Sequence, residues 1–396
     1  MAYVYAKINK HSLRYIRGQK CVSRDYIVQA LKLKAEKFNS WEDPSCDILP
    51  TINQAKNVAK CLRVPFAGLY MNPSDILIKR PPTRLDLRTL PNHNFDDSGT
   101  NLAVVDLVQI RDFYLDICKE FNIGVPDFSV QINIEDDIAH WAQLIRQKFQ
   151  ISMTEQYKLA SARQLFLYLK RKVEDNGVFI QCFSGVDTDV LRGLAISLKK
   201  MPIIGINEDD YYPAKSFTII HELVHIIKRH SVVCNNMYNS FSTRAEEIFC
   251  NAVAGEVLVP TDELRKQLTS IQNSIISLQF IENLSKKFSV SREVIIRRLL
   301  DIGYIDGSTY KQFARQIQEM LDDQRRKLKE QISADLAPPI RRIMYREAID
   351  KTSSRLCAVL YKGFTEGVLQ KQDISRYLGL EQKHIGNFIS EVSKWS

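Results

Sequence analysis

Two histidines and a glutamate lie close together in the segment SFTIIHELVHIIKRH, residues 216–230. His221 and His225 are four residues apart, so on a helix they project from the same face and can bind one metal ion. Glu222 points about 100° away from His221, so it can reach a metal-bound water molecule rather than the metal. The H-E-x-x-H spacing thus provides two imidazole ligands and a general base on a single helix.

An ordinary buried helix is the alternative interpretation of this segment. Its apolar residues make it hydrophobic on nearly every side, as in a core helix: Ile219, Ile220, Leu223, Val224, Ile226 and Ile227. The two interpretations are compatible, because a zinc-binding helix of this kind is itself buried. A buried, charged Glu222 without a partner would be unfavourable, so its carboxylate requires a metal-bound water or a strong hydrogen-bond donor.

A catalytic zinc ion requires a third protein ligand, and the segment STRAEEIFCNAVAGEVLVP, residues 242–260, predicts a second helix that is apolar on most sides. Thr243 and Glu246 fit a capping box, which leaves Glu247 without a local partner. Glu247 shares a face with Asn251, so we predict Glu247 as the third ligand and Asn251 as a residue that orients a zinc-bound histidine. Glu246 is the alternative ligand. The weaker candidates are His230 and Cys234.

Such a site predicts a peptidase mechanism. Zn²⁺ would polarise the scissile carbonyl and lower the pKa of its bound water, and Glu222 would transfer a proton from that water to the leaving amine. We expect an upstream edge strand, with PIIGIN (202–207) as the candidate, to hold an extended peptide by strand addition. The oxyanion donor stays open among five residues: Tyr211, Tyr212, His230, Tyr238 and Arg244.

The two segments together resemble the ImmA/IrrE-type metallopeptidases. KSFTIIHELVHIIKRH followed by EIFCNAVAGEVLVP is similar to their usual pattern, F-T-x-x-H-E-x-x-H and then E-x-x-A-N-x-F-A-A-x-x-L-x-P. The resemblance, which covers residues 177–262, implies zinc ligands at His221, His225 and Glu247 and a catalytic glutamate at Glu222. Three residues beside the site differ from the pattern in size: Cys250 for Ala, Val253 for Phe and Val224 for Gly.

Composition and charge place this site in a wider context. The hydrophobic fraction of 45% and the charged fraction of 26% are those of a soluble globular protein, and 396 residues suffice for two or three domains. The eight cysteines include no CxxC pair, which fits reduced thiols. The N-terminus carries Lys7, Lys10, Arg14 and Arg17 where a signal peptide would be apolar. With no apolar run near the length of about 20 residues that spans a bilayer, we expect a cytoplasmic protein without a membrane partner.

The excess positive charge lies at one end of the chain. Residues 1–90 contain 16 Lys/Arg against 7 Asp/Glu, whereas the remaining residues carry 39 of each. This asymmetry predicts an N-terminal module that faces a polyanion, with nucleic acid as the first candidate. A solvated basic face is the alternative.

Residues 23–70 resemble an XRE-type helix-turn-helix domain, through Trp41-Glu42, Pro50-Thr51 and an amphipathic helix that ends near LRVP. The resemblance implies a recognition helix near AEKFNSWE (35–42) in the major groove of DNA. The nearest candidates for DNA contacts are Lys34, Lys37 and Asn39. The alternative is a small helical domain that pairs with a protein. Trp41 and Leu62 are predicted core residues in either case.

The predicted fold is mainly α with a small β-sheet (α+β), in which GVFIQCFSG and PIIGIN are strands. The predicted parts are a helix-turn-helix domain (1–72), a linker (73–101), a metallopeptidase domain (102–270) and a helical C-terminal region (271–396). Within the last part, residues 281–306 and 373–392 again resemble helix-turn-helix segments, which we interpret as packing or partner surfaces.

These features predict a DNA-associated zinc metalloendopeptidase that cleaves a repressor or antitoxin protein and so regulates transcription, in a mobile element, a stress response or a toxin–antitoxin system. The alternative is a non-proteolytic regulator or antitoxin whose peptidase-like domain binds a partner protein. A metal-free scaffold is the third possibility, and the complete set of three ligands and one base argues against it.

Overall fold

The computed structural model describes residues 4–76, 78, 98–132, 137–231, 244–269, 276–333 and 343–395. These residues are mainly helical and include one three-stranded sheet, as expected for an α+β chain. They divide into two compact units, Met1–Phe113 with Phe183–Leu191 and Tyr114–Cys182 with Arg192–Ser396. The four-part division drawn from the sequence stays a prediction, and most of its linker lies outside the described residues.

Four helices lie in the first unit: α1 (Lys10–Gln19), α2 (Arg24–Ala30), α3 (Ala35–Glu42) and α4 (Ile52–Cys61), followed by 3-10 turns at Phe66–Tyr70 and Pro73–Asp75. Their starts follow from capping residues. Ser23 accepts a hydrogen bond from the backbone N–H of Tyr26 at the start of α2. Thr51 and Gln54 form a capping box at the start of α4.

The first unit has its own hydrophobic core, in which Trp41 and Leu62 are fully buried, as predicted. Four residues separate α2 from α3, and Lys32 among them has a left-handed backbone with a φ of 51°. The carboxylate of Glu42, at the end of α3, is buried and pairs with Arg17 at 2.6 Å and Arg24 at 2.7 Å. Because both arginines come from neighbouring helices, Glu42 joins α3 to α1 and α2.

α5 (Ser98–Glu120) begins in the first unit and ends in the second. The elements that follow it are α6 (Ile138–Lys148), α7 (Met153–Lys158), α8 (Ala162–Glu174), β1 (Phe179–Phe183), β2 (Gly193–Ile196), β3 (Ile203–Asn207), α9 (Tyr212–Ser231), α10 (Arg244–Leu258), α11 (Thr261–Thr269), α12 (Leu278–Phe288), α13 (Arg292–Asp301), α14 (Gly307–Ser333), α15 (Met344–Lys351), α16 (Ser354–Thr365), α17 (Lys371–Leu378) and α18 (Ile385–Val392), with 3-10 turns at Gln382–His384 and Ser393–Trp395.

The sheet has the strand order β1-β3-β2. The predicted strands GVFIQCFSG and PIIGIN are confirmed as β1 and β3, but the expectation that PIIGIN is an edge strand is wrong. β3 lies in the centre, because β2 pairs with it antiparallel, with Gly193 opposite Ile206 and Ile196 opposite Ile203. The sequence interpretation missed β2, since four residues that include Gly and Ala carry a weak strand signal.

α9 lies at the centre of the second unit and packs against α8, α10, β2 and β3. From Ile219 to Ile227 its apolar residues are fully buried in a core shared with α10, α12 and α13. Residues 281–306, one of the two helix-turn-helix-like segments, thus contribute Ile281, Phe288 and Ile295 to this core. Among the described residues, none of the helices combines the length and the apolarity needed to cross a bilayer.

Candidate metal centre

His221, Glu222 and His225 are buried side chains of α9, with exposed fractions of 0%, 2% and 4%. The start of this helix is fixed by Tyr212, whose hydroxyl donates a hydrogen bond of 2.6 Å to Asp350. Burial and this bond raise the pKa of Tyr212, so the hydroxyl stays protonated and donates. The helix therefore enters the core from an anchored first residue and carries its polar side chains to a buried position.

Three ligand atoms converge between α9 and α10. The Nε2 atoms of His221 and His225 are 3.1 Å apart. Glu247, on α10, lies with Oε1 at 3.2 Å from Nε2 of His225 and with Oε2 at 3.4 Å from Nε2 of His221. These three residues form the one group of potential metal ligands found in the described part of the chain.

The spacing of these atoms fits a tetrahedral metal site. With metal–ligand bonds of about 2.0 Å, neighbouring atoms of a tetrahedral set lie about 3.3 Å apart. The two nitrogens are 3.1 Å apart, and each lies 3.2 Å or 3.4 Å from a different oxygen of Glu247, so a metal ion between them is within reach of all three side chains. Two imidazole nitrogens and one carboxylate oxygen are also a donor set that Zn²⁺ accepts. The side chain of Glu247 is 26% exposed, so the convergence point is next to the protein surface on the α10 side.

The surroundings of His225 favour a positive charge. Burial alone lowers the pKa of His225, but hydrogen bonding to Cys250 and to the carboxylates of Glu246 and Glu247 raises it to about 12. Glu246 and Cys250 lie at Nδ1 of the ring, at 3.5 Å and 3.7 Å, rather than at Nε2. Glu246, the alternative ligand in the sequence, is therefore on the far side of His225 from the convergence point.

Glu222 has a buried oxygen with no hydrogen-bond partner among the described residues, Oε1. This oxygen faces β2, where a Cβ atom built on Gly193 would lie 3.1 Å from it and 2.2 Å from Cγ2 of Thr218. Only a glycine at position 193 leaves α9 and β2 this close together. A buried carboxylate oxygen in such a position requires an external donor, and a bound water beside a metal would provide one.

The other residues predicted for this site either form no hydrogen bond to the histidines or lie outside the described residues. Asn251 is half-buried on α10, and no hydrogen bond joins it to either histidine within the described residues, so its orienting role stays a prediction. Nδ1 of His225 is contacted instead by two other residues of α10. Thr243, Cys234 and the side chain of His230 lie outside the described residues.

Two of the five predicted oxyanion donors are described, and both have partners away from the three ligands. Tyr212 donates to Asp350, and Tyr211, which is 51% exposed, hydrogen bonds to Ser291. The other three candidates, Tyr238 and the side chains of His230 and Arg244, lie outside the described residues. The identity of the residue that stabilises the oxyanion therefore stays a prediction.

β2 is the edge strand beside Glu222. The backbone N–H of Asn207 bonds to the carbonyl of Arg192, so these two residues form a hydrogen-bonded pair. Because such pairs alternate along an antiparallel ladder, Gly193 and Ala195 direct their backbone N–H and C=O groups away from β3. All four residues of β2 are nevertheless buried. The apolar run GLAI between turn formers was the sequence signal that could have identified it.

The three predicted DNA contacts lie in the first unit. Lys34 precedes α3, Lys37 and Asn39 lie on it, and all three are exposed. Lys37 also lies over the ring of Trp41, 5.9 Å from its centroid. Their positions leave them accessible to a partner, while DNA binding itself stays a prediction.

Residues 176–300 match the family model Peptidase_M78, described as the IrrE N-terminal-like domain. The match covers about a third of the chain, from the residues before β1 through α9 and α10 into α13. It supports the ImmA/IrrE metallopeptidase family and a metallopeptidase-like function for this segment. A search of curated proteins finds no match to the chain.

Proposed function

We propose that this protein is a zinc-dependent endopeptidase that cleaves a repressor or an antitoxin and thereby regulates transcription. The observation that carries the proposal is the convergence of His221, His225 and Glu247, with a buried oxygen of Glu222 on the same helix that has no partner among the described residues. A purely structural polar cluster would satisfy its members internally.

Zinc held by these three residues would polarise a peptide carbonyl and lower the pKa of a water molecule. Glu222 would then accept a proton from the attacking water and return it to the leaving amine, because its carboxylate follows His221 on α9 and has a buried oxygen without a partner among the described residues. His221, His225 and Glu247 keep one position free for water or substrate, as in catalytic sites with three protein ligands.

An extended peptide would bind along β2. The outward N–H and C=O groups of Gly193 and Ala195 offer two pairing positions, and Gly193 is also the residue that contacts Glu222. A peptide paired there would pass close to the general base. This replaces β3, whose central position leaves no free edge.

A non-proteolytic regulator is the second candidate, and the burial of β2 favours it. A peptide can pair with a buried strand only after the residues that cover it move. In this second candidate function, the peptidase-like domain binds a partner protein without cleaving it, and the metal site stabilises the fold.

Association with DNA is proposed for the first unit. Its support is the excess of basic residues among residues 1–90 together with the exposure of Lys34, Lys37 and Asn39. A protease held on DNA would meet a DNA-bound repressor at high local concentration.

Metal analysis of the purified protein tests the site. We expect about one zinc per chain, lost in His221→Ala and in Glu247→Ala, and retained in Glu222→Gln. Wild-type protein that stays metal-free after zinc addition would contradict the proposal.

Glu222→Gln also separates the two candidate functions. We expect it to retain zinc, to lose cleavage, and to hold the uncleaved partner so that the complex can be isolated from the native cells. New protein termini should appear with the wild type and be absent with the variant. If the variant regulates its partner as well as the wild type does, the non-proteolytic function is correct.

DNA binding is tested by its dependence on salt. Lys34→Ala combined with Lys37→Ala should reduce the slope of log affinity against log salt by about 2, roughly one for each lost phosphate contact. Lys60→Ala is the matched control, because Lys60 is an exposed lysine at the end of α4. Equal slopes for both variants would exclude α3 from the DNA surface.

A further inference from the structure

The ring of His225 is contacted on both of its nitrogens. Nε2 lies 3.1 Å from Nε2 of His221 and 3.2 Å from Oε1 of Glu247, which places it at the convergence point. Nδ1, on the other side of the ring, lies 3.5 Å from Oε1 of Glu246 and 3.7 Å from Sγ of Cys250. The two sides of the ring therefore have different partners.

All three α10 residues in these contacts come from five consecutive positions. Glu246 and Cys250 are four residues apart and share one face of the helix. Glu247 is turned from Glu246 by about 100° and reaches Nε2 instead. α10 thus supplies a ligand on one side of His225 and two polar groups on the other.

We propose that Glu246, assisted by Cys250, is a positioning residue that keeps the proton of His225 on Nδ1. A carboxylate only accepts hydrogen bonds, so Glu246 at 3.5 Å favours an N–H at Nδ1. When a metal ion displaces the proton at Nε2, the ring keeps its N–H at Nδ1 and binds the metal through the lone pair of Nε2. This inference rests on the proposed zinc site, and it assigns Glu246 a role other than that of ligand.

The second histidine ligand is oriented by a different neighbour. The ring of His221 stacks against Phe217, one turn earlier on α9, with centroids 6.1 Å apart and planes inclined by 29°. Replacement of Glu246 should therefore alter the tautomer of His225 and leave that of His221 unchanged.

Zinc affinity, measured by competition with a chelator, gives the first test. Loss of such an outer carboxylate lowers metal affinity about 10- to 100-fold, and we expect this for Glu246→Ala. Glu246→Gln should lose less, because its amide oxygen can still accept from Nδ1, and Cys250→Ala should lose less again, because sulfur is a weak acceptor. Ile248→Ala is the control on α10, since its side chain is 54% exposed; its affinity should equal that of the wild type.

The tautomer itself gives the second test, through the ¹⁵N chemical shifts of the histidines in zinc-loaded and metal-free protein. We expect a proton on Nδ1 of His225 in the wild type both with and without zinc, and a mixture of tautomers in metal-free Glu246→Ala. If Glu246→Ala binds zinc as tightly as the wild type and keeps one tautomer, the positioning role is overturned while the zinc site stands. A wild type that binds no zinc overturns the proposed function as well.

Discussion

Two of the groups of buried polar side chains described in the second unit differ in how completely their hydrogen bonds are made. On α8, the ammonium of Lys170 is fully buried and donates to the carbonyls of Ile349, Asp350 and Thr352, at the end of α15. Four residues on, both oxygens of buried Glu174 accept from the N–H of Ser354 at the start of α16. Each charge thus lies at the helix end that favours it.

The carboxylate of Asp350 joins this satisfied cluster to the metal helix. Arg163 binds it with two nitrogens, at 2.6 Å and 2.7 Å, and Tyr212 at the start of α9 donates to it. On α9 and α10, by contrast, two histidine nitrogens and a carboxylate converge as potential metal ligands, and Glu222 has a buried oxygen with no hydrogen-bond partner among the described residues.

The difference separates buried polar groups that stabilise the fold from buried polar groups that can bind a ligand. A buried charge with all its hydrogen bonds contributes to the fold, whereas a buried carboxylate oxygen without a partner is favourable only when a cation or a water molecule completes it. The α8 cluster therefore fixes the C-terminal helices to the core, and the α9–α10 cluster is prepared for a ligand.

The largest effect on stability is expected for Lys170, whose buried ammonium has all its hydrogen bonds within the protein. Lys170→Met should lower the free energy of unfolding by about 3–5 kcal/mol, because it leaves three buried carbonyls without their donor and removes the positive charge near buried Glu174. Urea denaturation measures it. Lys172→Met is the control on the same helix; its pair with exposed Glu155, at 3.7 Å, should contribute less than about 1 kcal/mol. Similar losses in both variants would refute the distinction.

Zinc binding to the α9–α10 cluster should stabilise the protein. Zinc at 100 times its dissociation constant should raise the free energy of unfolding by about 2.7 kcal/mol, since it binds only the folded chain. Thermal unfolding with and without zinc measures this gain. His221→Ala should show none, and a gain of equal size in that variant would place the metal elsewhere.

The close approach of β2 to α9 predicts an intermediate effect. Gly193→Ala should lower the free energy of unfolding by about 1–3 kcal/mol through overpacking against Cγ2 of Thr218. Thr218→Ser removes that methyl group and should restore most of the loss in the double variant. A strictly additive double-mutant cycle would argue against this contact.

The smallest change is expected for Glu222→Gln. Because Oε1 of Glu222 has no partner among the described residues, removal of its charge should shift the free energy of unfolding by less than about 1 kcal/mol, or raise it. Urea denaturation of metal-free protein measures it. A loss as large as that of Lys170→Met would mean that Glu222 is a structural residue.

Much of the local structure followed from the sequence. Ser23 and Thr51 marked helix starts because a hydroxyl that caps backbone N–H groups acts within one turn. The four-residue spacing of His221 and His225 placed them on one face, because helix geometry is periodic. The same local geometry predicts Glu247 as the third metal ligand, because Glu246 fits a capping box with Thr243.

The tertiary structure decided what depends on contacts between distant segments. PIIGIN is central rather than at an edge, because a four-residue strand ten positions earlier pairs with it. Glu246 lies at Nδ1 of His225, and Gly193 lies against Glu222, through packing that no local pattern encodes. The residue types and spacings determined which groups are present; long-range packing decided which atoms meet, because it depends on the whole chain.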